Sequence, residues 1–190
     1  LFDLSAITKV FTATAWMRLV DREAIHLDDP LCALCPEFSG IRPILPTGSE
    51  KSIGTYPEHA NPHYQTVDAS KITFRQLLRH SAGLPSNMEL FLLENPQQAR
   101  EAVMRTPFVY EPDSDVVDSD IGYLLLGWAI ENLCDTNLST VIEDLILNPL
   151  HLLETGFRPL ESSSSAPLPQ PVEGIAPTKD LLWRNKWLRG

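Results

Sequence analysis

Phe2-Asp3-Leu4-Ser5-Ala6-Ile7-Thr8-Lys9-Val10-Phe11-Thr12-Ala13-Thr14-Ala15-Trp16-Met17-Arg18-Leu19-Val20 contains no Gly or Pro, and Ile7, Val10, Phe11, Trp16, Met17 and Val20 recur at helical spacing. The pattern predicts a helix over 6–20 that ends at the charged turn Asp21-Arg22-Glu23. Lys9 lies three residues after Ala6 and four after Ser5, and residues three or four apart share a helix face. The chain enters this helix with neither Met nor a basic and apolar leader. It stops at Arg189-Gly190 with no terminating device, so it reads as a segment of a longer protein.

Outward from this helix, 28–70 is rich in Pro, Gly, Ser and Asn, including Pro43, Pro46, Gly48, Gly54, Pro57 and Pro62, and predicts a long excursion with little regular structure. Thr73-Phe74-Arg75-Gln76 is a capping box that opens a helix with core residues Leu77 and Leu78. That helix ends before Gly83, the expected positive-φ residue. Asn95-Pro96 opens another, reaching about Arg105 before Pro107. Ser119 or Asp118 caps the strongest helix, whose Ile121, Leu124, Leu125 and Trp128 follow the spacing of a buried stripe. Thr140-Val141-Ile142-Glu143 reads as a second capping box, for a helix ending at Asn148-Pro149. Beyond Arg158, Ser162 to Ser165 and five prolines from Pro159 to Pro177 predict an irregular crossing. Period-2 alternation is scarce, so most of any sheet is expected outside this segment, and no internal repeat is present.

The 190 residues are 43% hydrophobic, which excludes a disordered chain. Fifteen Lys and Arg against 25 Asp and Glu give a net charge of −10, which disfavours nucleic acid and anionic membranes as partners. The longest apolar run, Tyr123 to Ile130, is too short to span a bilayer. Cys32-Ala33-Leu34-Cys35 has C-x-x-C spacing but no second pair follows it, so these thiols and Cys134 are read as structural. Glu58, His59 and His63 lie in a Pro-rich stretch and are read as solvated surface, with no metal site assigned.

Five blocks in order carry a resemblance: Phe2 to Ala13, Leu27-Asp28-Asp29-Pro30, Thr73 to Pro85 with its His80-Ser81-Ala82-Gly83 turn, Ser119-Asp120-Ile121-Gly122 through Gly127, and Pro149 to Phe157. Together they resemble the serine β-lactamase-like, penicillin-binding family, in the branch of class C β-lactamases, D-alanyl-D-alanine carboxypeptidases and related esterases. The resemblance implies an α/β fold, an antiparallel sheet covered by helices, of which this chain would hold the central helix (1–30), a mostly helical subdomain (31–160, with a long loop at 31–72) and an irregular crossing back (161–190). It also implies acyl transfer to an ester, amide or β-lactam through the serine of an S-x-x-K motif, with no cofactor. The lysine, desolvated beside the hydroxyl, would serve as base, and a tyrosine from a second helix would relay the proton.

The key positions depart from that pattern. Lys9 matches the motif lysine, which puts Ala6 at the nucleophile position, and Asp118 falls at the tyrosine position with Glu111-Pro112 upstream. A third motif, Lys-Thr-Gly or His-x-Gly, would lie beyond Gly190. The expected site is therefore Ala6, Lys9, Asp118 and Asp120, with Ser5 and Ser119 as substrate contacts. Ser5 as a displaced nucleophile is less favoured than Ser5 as a cap or turn residue. Lys9 reads equally as a pocket group or as a salt-bridge partner of Asp118, and Asp120 as a pocket wall or a first-turn carboxylate. His80 is expected to satisfy local carbonyls, and Trp16, Trp128 and Leu124 to Leu126 to be core. These replacements predict a disabled hydrolase segment; a non-catalytic binding or scaffolding module of the same fold is the alternative.

Overall fold

A computed structural model describes residues 2–45, 64–157, 176, 178–180 and 186–188. One 3-10 turn, Ser5–Ile7, leads into α1 (Thr8–Asp21). Of the six residues of its expected stripe only Trp16 is buried. Thr12, Ala15, Trp16 and Leu19 are inside, whereas Ile7, Val10 and Met17 are exposed. The helices over 120–134 and 138–147 pack on the side of α1 that carries these buried residues.

Trp16 anchors the packed side. It is fully buried, its indole N–H donates to the Leu126 carbonyl at 3.2 Å, and its ring lies 4.4 Å from that of Phe74. A buried indole needs such an acceptor, so this bond fixes how α1 crosses the long helix α4 (Asp120–Cys134). Ser119 caps α4, as expected, its hydroxyl accepting from the Gly122 N–H at 3.1 Å. The stripe on α4 differs from the predicted one. Ile121, Leu125, Leu126, Ala129 and Ile130 are buried, Leu124 is 38% exposed and Trp128 is only partly covered. Four partners cause this: α1, the short α2 (Phe74–Leu78), α3 (Pro96–Met104) and α5 (Leu138–Ile142) all contact α4, and together they bury a broad face centred on Leu125 and Leu126.

The Thr73–Gln76 capping box forms on α2 in both directions. Leu77 is buried but Leu78 only partly so. His80, at φ 58°, not Gly83, is the first left-handed residue after α2. Gly83, at φ +81°, turns the chain three residues later, where a Cβ would meet the Tyr110 carbonyl oxygen at 2.5 Å. Asn95 caps α3 (Pro96–Met104) as the Asn-Pro pair predicts. The second expected capping box does not form, because Asn137 takes the cap and accepts the Thr140 N–H at 2.9 Å. From there α5 widens into a π turn over Glu143–Leu147.

Two short antiparallel pairs complete the described residues. β1 (Ile41–Pro43) pairs with β2 (Thr66–Asp68), Arg42 opposite Val67. β3 (Thr178–Asp180) pairs with β4 (Lys186–Leu188). Among its described residues the 28–70 excursion thus holds β1 and β2, and 161–190, expected to be irregular, contains the second pair. Ser162 to Ser165 and Glu58, His59 and His63 lie outside the described residues. No helix of the described residues is long and apolar enough to cross a membrane.

Gly83→Ala is expected to cost about 1–3 kcal/mol, because positive φ and a backbone clash act together. Gly156→Ala, where a Cβ meets nothing within 4 Å, should stay within about 0.5 kcal/mol of the unaltered chain. Urea titrations of both variants check the contrast.

Candidate functional site

Four hydrogen bonds tie the segment before α4 to the turn after α2. The Val117 N–H donates to the His80 carbonyl at 3.0 Å and the Asp120 N–H to the Ser86 carbonyl at 2.7 Å. The Ser119 N–H donates to His80 Nδ1 at 3.0 Å, and the Ser119 hydroxyl to the Pro85 carbonyl at 2.6 Å. With this segment fixed, Asp118 and Asp120 stand over the first full turn of α1. Lys9 Nζ meets Asp118 Oδ1 at 2.6 Å and Asp120 Oδ1 at 2.7 Å. The lysine side chain is 17% exposed, the carboxylates 74% and 56%.

Of the residues anticipated from sequence, Lys9, Asp118 and Asp120 therefore come together, and Asp120 is both a Lys9 partner and a first-turn carboxylate. Ala6 and Ser5 lie on the exposed 3-10 turn before α1. Ser5 is at φ 45° and its own N–H donates to Asp3 Oδ1 at 2.9 Å, so it is a turn residue rather than a side-chain cap. Ser119 is buried, and its hydroxyl both caps α4 and holds Pro85, which makes it a scaffold residue of the site.

Burial lowers the affinity of the Lys9 ammonium for its proton, but its hydrogen bonds and charge contacts with Asp118 and Asp120 outweigh this, and the pKa stands above the ordinary lysine value. The hydrogen bond from Lys9 holds the Asp118 carboxyl below its usual range. His80 moves down, mainly through burial, with Asp118 opposing and Lys9 assisting. Because Nδ1 accepts the Ser119 N–H, the neutral ring carries its proton on Nε2, 3.5 Å from Asp118 Oδ1. The imidazole thus holds a backbone amide, where local carbonyls were the expected partners.

A cavity of about 480 Å³ opens beside this cluster, lined by Lys9, Val10, Ala13, Thr14, Met17, His80 and Tyr123. Tyr123 stacks on His80 at 5.0 Å between centroids and has the Lys9 ammonium 5.8 Å from its ring centre. Sequence reasoning assigned Tyr123 no role. The available signal was spacing, since Tyr123 follows Asp120 by three residues and shares its helix face. Among the described residues no three His, Cys, Asp or Glu side chains gather as a metal site. The C-x-x-C thiols are embedded in packing: the Cys32 thiol donates to the Ser70 carbonyl at 3.2 Å, and burial pushes the Cys35 thiol up to about 11.

The sequence model of the family described as beta-lactamase matches residues 1–174. A putative D-alanyl-D-alanine carboxypeptidase of Escherichia coli (strain K12) is 27% identical over 169 residues, covering 84% of this chain and 34% of that protein. Among solved structures, EstCE1, a hydrolase with promiscuous acyltransferase activity, aligns with a TM-score of 0.66 at 22% identity, over 99% of this chain and 45% of its own. A beta-lactamase/D-alanine carboxypeptidase from Yersinia pestis aligns with a TM-score of 0.60 at 18% identity, over 84% of this chain and 41% of its own. These likenesses give the chain the β-lactamase/transpeptidase fold. It spans about a third of the length of the Escherichia coli relative. Five sequence blocks in order, one shared fold and a family match over most of its length agree, and the chain belongs to the beta-lactamase family of serine hydrolases.

Proposed function

We propose that this chain carries a β-lactamase-like binding site for small esters, amides or β-lactams in which acyl transfer has been disabled. The observation that carries the reading is Ala6 at the nucleophile position, three residues before a Lys9 whose ammonium is ion-paired twice. Acyl transfer needs an oxygen to form the acyl bond and a base to take its proton. A methyl group supplies no oxygen. A lysine acts as base when desolvation makes it give up its proton, whereas Asp118 and Asp120 stabilise the protonated form of Lys9. Asp118, ionised at neutral pH, has no hydroxyl proton to relay where the family places a tyrosine. A pure scaffolding role would leave the cavity beside Lys9 without a ligand, and the tests below separate the two.

Intact-mass spectrometry after incubation with a fluorophosphonate or a penicillin should show no mass increase. An adduct on Ser5 or on any cavity residue overturns the disabled reading. In the complete protein, the Ala6→Ser/Asp118→Tyr double variant should gain an adduct at position 6, and its failure to do so favours the scaffolding module.

The ion cluster also sets a pH dependence. Asp118 is depressed, so its stabilising contribution is present above the ordinary carboxylate pKa and fades as pH falls towards the lower folded value. Lys9 is raised, so its contribution is present below the ordinary lysine pKa and fades as pH rises through the higher folded value. The stability difference between the unaltered chain and Asp118→Asn should therefore be greatest between about pH 5 and pH 9 and shrink towards both extremes. Denaturation midpoints across pH check this; a difference that does not vary with pH removes the ion cluster as its source.

A further inference from the structure

We propose that His80 is a positioning residue of the Lys9 cluster that works only while its ring is neutral. Protonation of the ring replaces the Ser119 amide bond by an ion pair with Asp118, so acid loosens the joint between the turn after α2 and the start of α4. This device belongs to the scaffold of the site and holds whether or not the site acylates.

The ring is held from three directions. Its Nδ1 accepts the Ser119 N–H at 3.0 Å, its face stacks on Tyr123 with centroids 5.0 Å apart, and Nε2 lies 3.5 Å from Asp118 Oδ1. The backbone is fixed separately, because the His80 carbonyl accepts the Val117 N–H at 3.0 Å and the Tyr110 hydroxyl at 2.9 Å. A change in the ring is therefore passed to residues 118 and 119 rather than absorbed by the turn.

An imidazolium carries N–H on both nitrogens and accepts nothing. On protonation, Nδ1 and the Ser119 amide become two donors facing each other. Ser119 is only 3% exposed, so its N–H is left without an acceptor where water barely reaches. Nε2 gains charge beside the same Oδ1 that Lys9 Nζ holds at 2.6 Å. That oxygen is then shared between two cations, and Lys9 keeps Asp120 Oδ1, at 2.7 Å, as its undivided partner. Of the four bonds between the two segments, only the one to Nδ1 passes through a titratable group. The bonds from the Val117 and Asp120 amides and from the Ser119 hydroxyl all end on backbone carbonyls, so the joint loosens without coming apart.

The charged and titratable groups about the ring set where this happens. Burial opposes protonation most, Lys9 from α1 opposes it too, and Asp118 and Asp120 favour it; the net direction is below the ordinary histidine value of 6.5. Tyr123 on α4 and Tyr110 are both raised by burial and keep their protons throughout. A histidine depressed in the folded state adds stability above its ordinary value and loses it as pH falls through the folded one. The joint is therefore closed at neutral pH and loosens below pH 6.5.

Long-range 1H–15N spectra of the unaltered chain at neutral pH should show the His80 ring as its Nε2–H tautomer, the signal being assigned by its loss in His80→Asn. As pH falls below the ordinary histidine value, the protection of the Ser119 amide, corrected for the intrinsic pH dependence of exchange, should drop about tenfold with the midpoint of the ring. The Asp118 carboxyl carbon should shift with that same midpoint. His80→Asn keeps a side-chain acceptor and a residue that tolerates positive φ, so Ser119 should stay protected across this range. His80→Gly adopts φ 58° freely but has no acceptor, so Ser119 should be unprotected already at neutral pH. An Nδ1–H tautomer at neutral pH, Ser119 protection that does not follow the ring, a pH step that persists in His80→Asn, or protection retained in His80→Gly overturns the proposal. If His80→Gly does not fold, the tautomer and the Ser119 amide of the unaltered chain decide.

Discussion

The pairing of Lys9 with Asp118 and Asp120 joins segments more than a hundred residues apart, and the geometry of the site depends on it. A lysine most of whose side chain is covered needs hydrogen-bond partners for its ammonium. Three residues before it stands Ala6, whose methyl group offers none. Two carboxylates held at the N-terminus of α4 supply them. They come into reach because the 117–120 segment is bound to the 80–86 turn through backbone groups and the His80 ring. The carboxylates thus satisfy the lysine in its charged form.

That satisfaction has a chemical consequence. Desolvation alone pushes a lysine towards the neutral amine that could accept a proton, and this direction is present at Lys9. Two short contacts to carboxylates reverse it. Exposed ion pairs contribute little stability, commonly below about 1 kcal/mol, so the cluster matters more for the protonation state it fixes than for holding the fold together. The fold rests instead on Trp16, whose buried indole joins α1 to α4 by packing and by its bond to the Leu126 carbonyl.

Local signals proved legible where one residue decides the outcome. The Thr73–Gln76 box, the Asn95-Pro96 start and the Ser119 cap are each a side-chain oxygen beside an amide that lacks a partner, and each forms. Thr140 does not cap because Asn137, three residues earlier, starts the helix by accepting the Thr140 N–H, which puts Thr140 inside the first turn. The α4 stripe was misplaced because periodicity reports that a helix has a buried face but not how many partners cover it. Leu124 is exposed and Leu126 buried because several helices contact α4 from different sides. His80 as terminator left no mark, because glycine is the usual left-handed residue and Gly83 lay close by. The three-residue strands are too short for alternation to register. Lys9 and Asp118 were placed together by resemblance to the family, while Tyr123 and His80 as neighbours of that pair required the packing of α2 on α4.

One helix therefore serves two purposes that compete for its surface. The side of α1 that carries Thr12, Ala15, Trp16 and Leu19 is covered by neighbouring helices, and this makes the helix rigid. The opposite side, Val10, Ala13, Thr14 and Met17, lines the cavity beside Lys9. Lys9 sits at the boundary, covered enough to be held and open enough to donate. A substitution on the covered side would be felt first as lost stability and only then as a shifted site. A change at Val10 or Met17 alters the cavity wall while the Trp16 anchor and the Ser119 cap stay in place. A helix packed along one side can thus change its other face while its packed face stays in place.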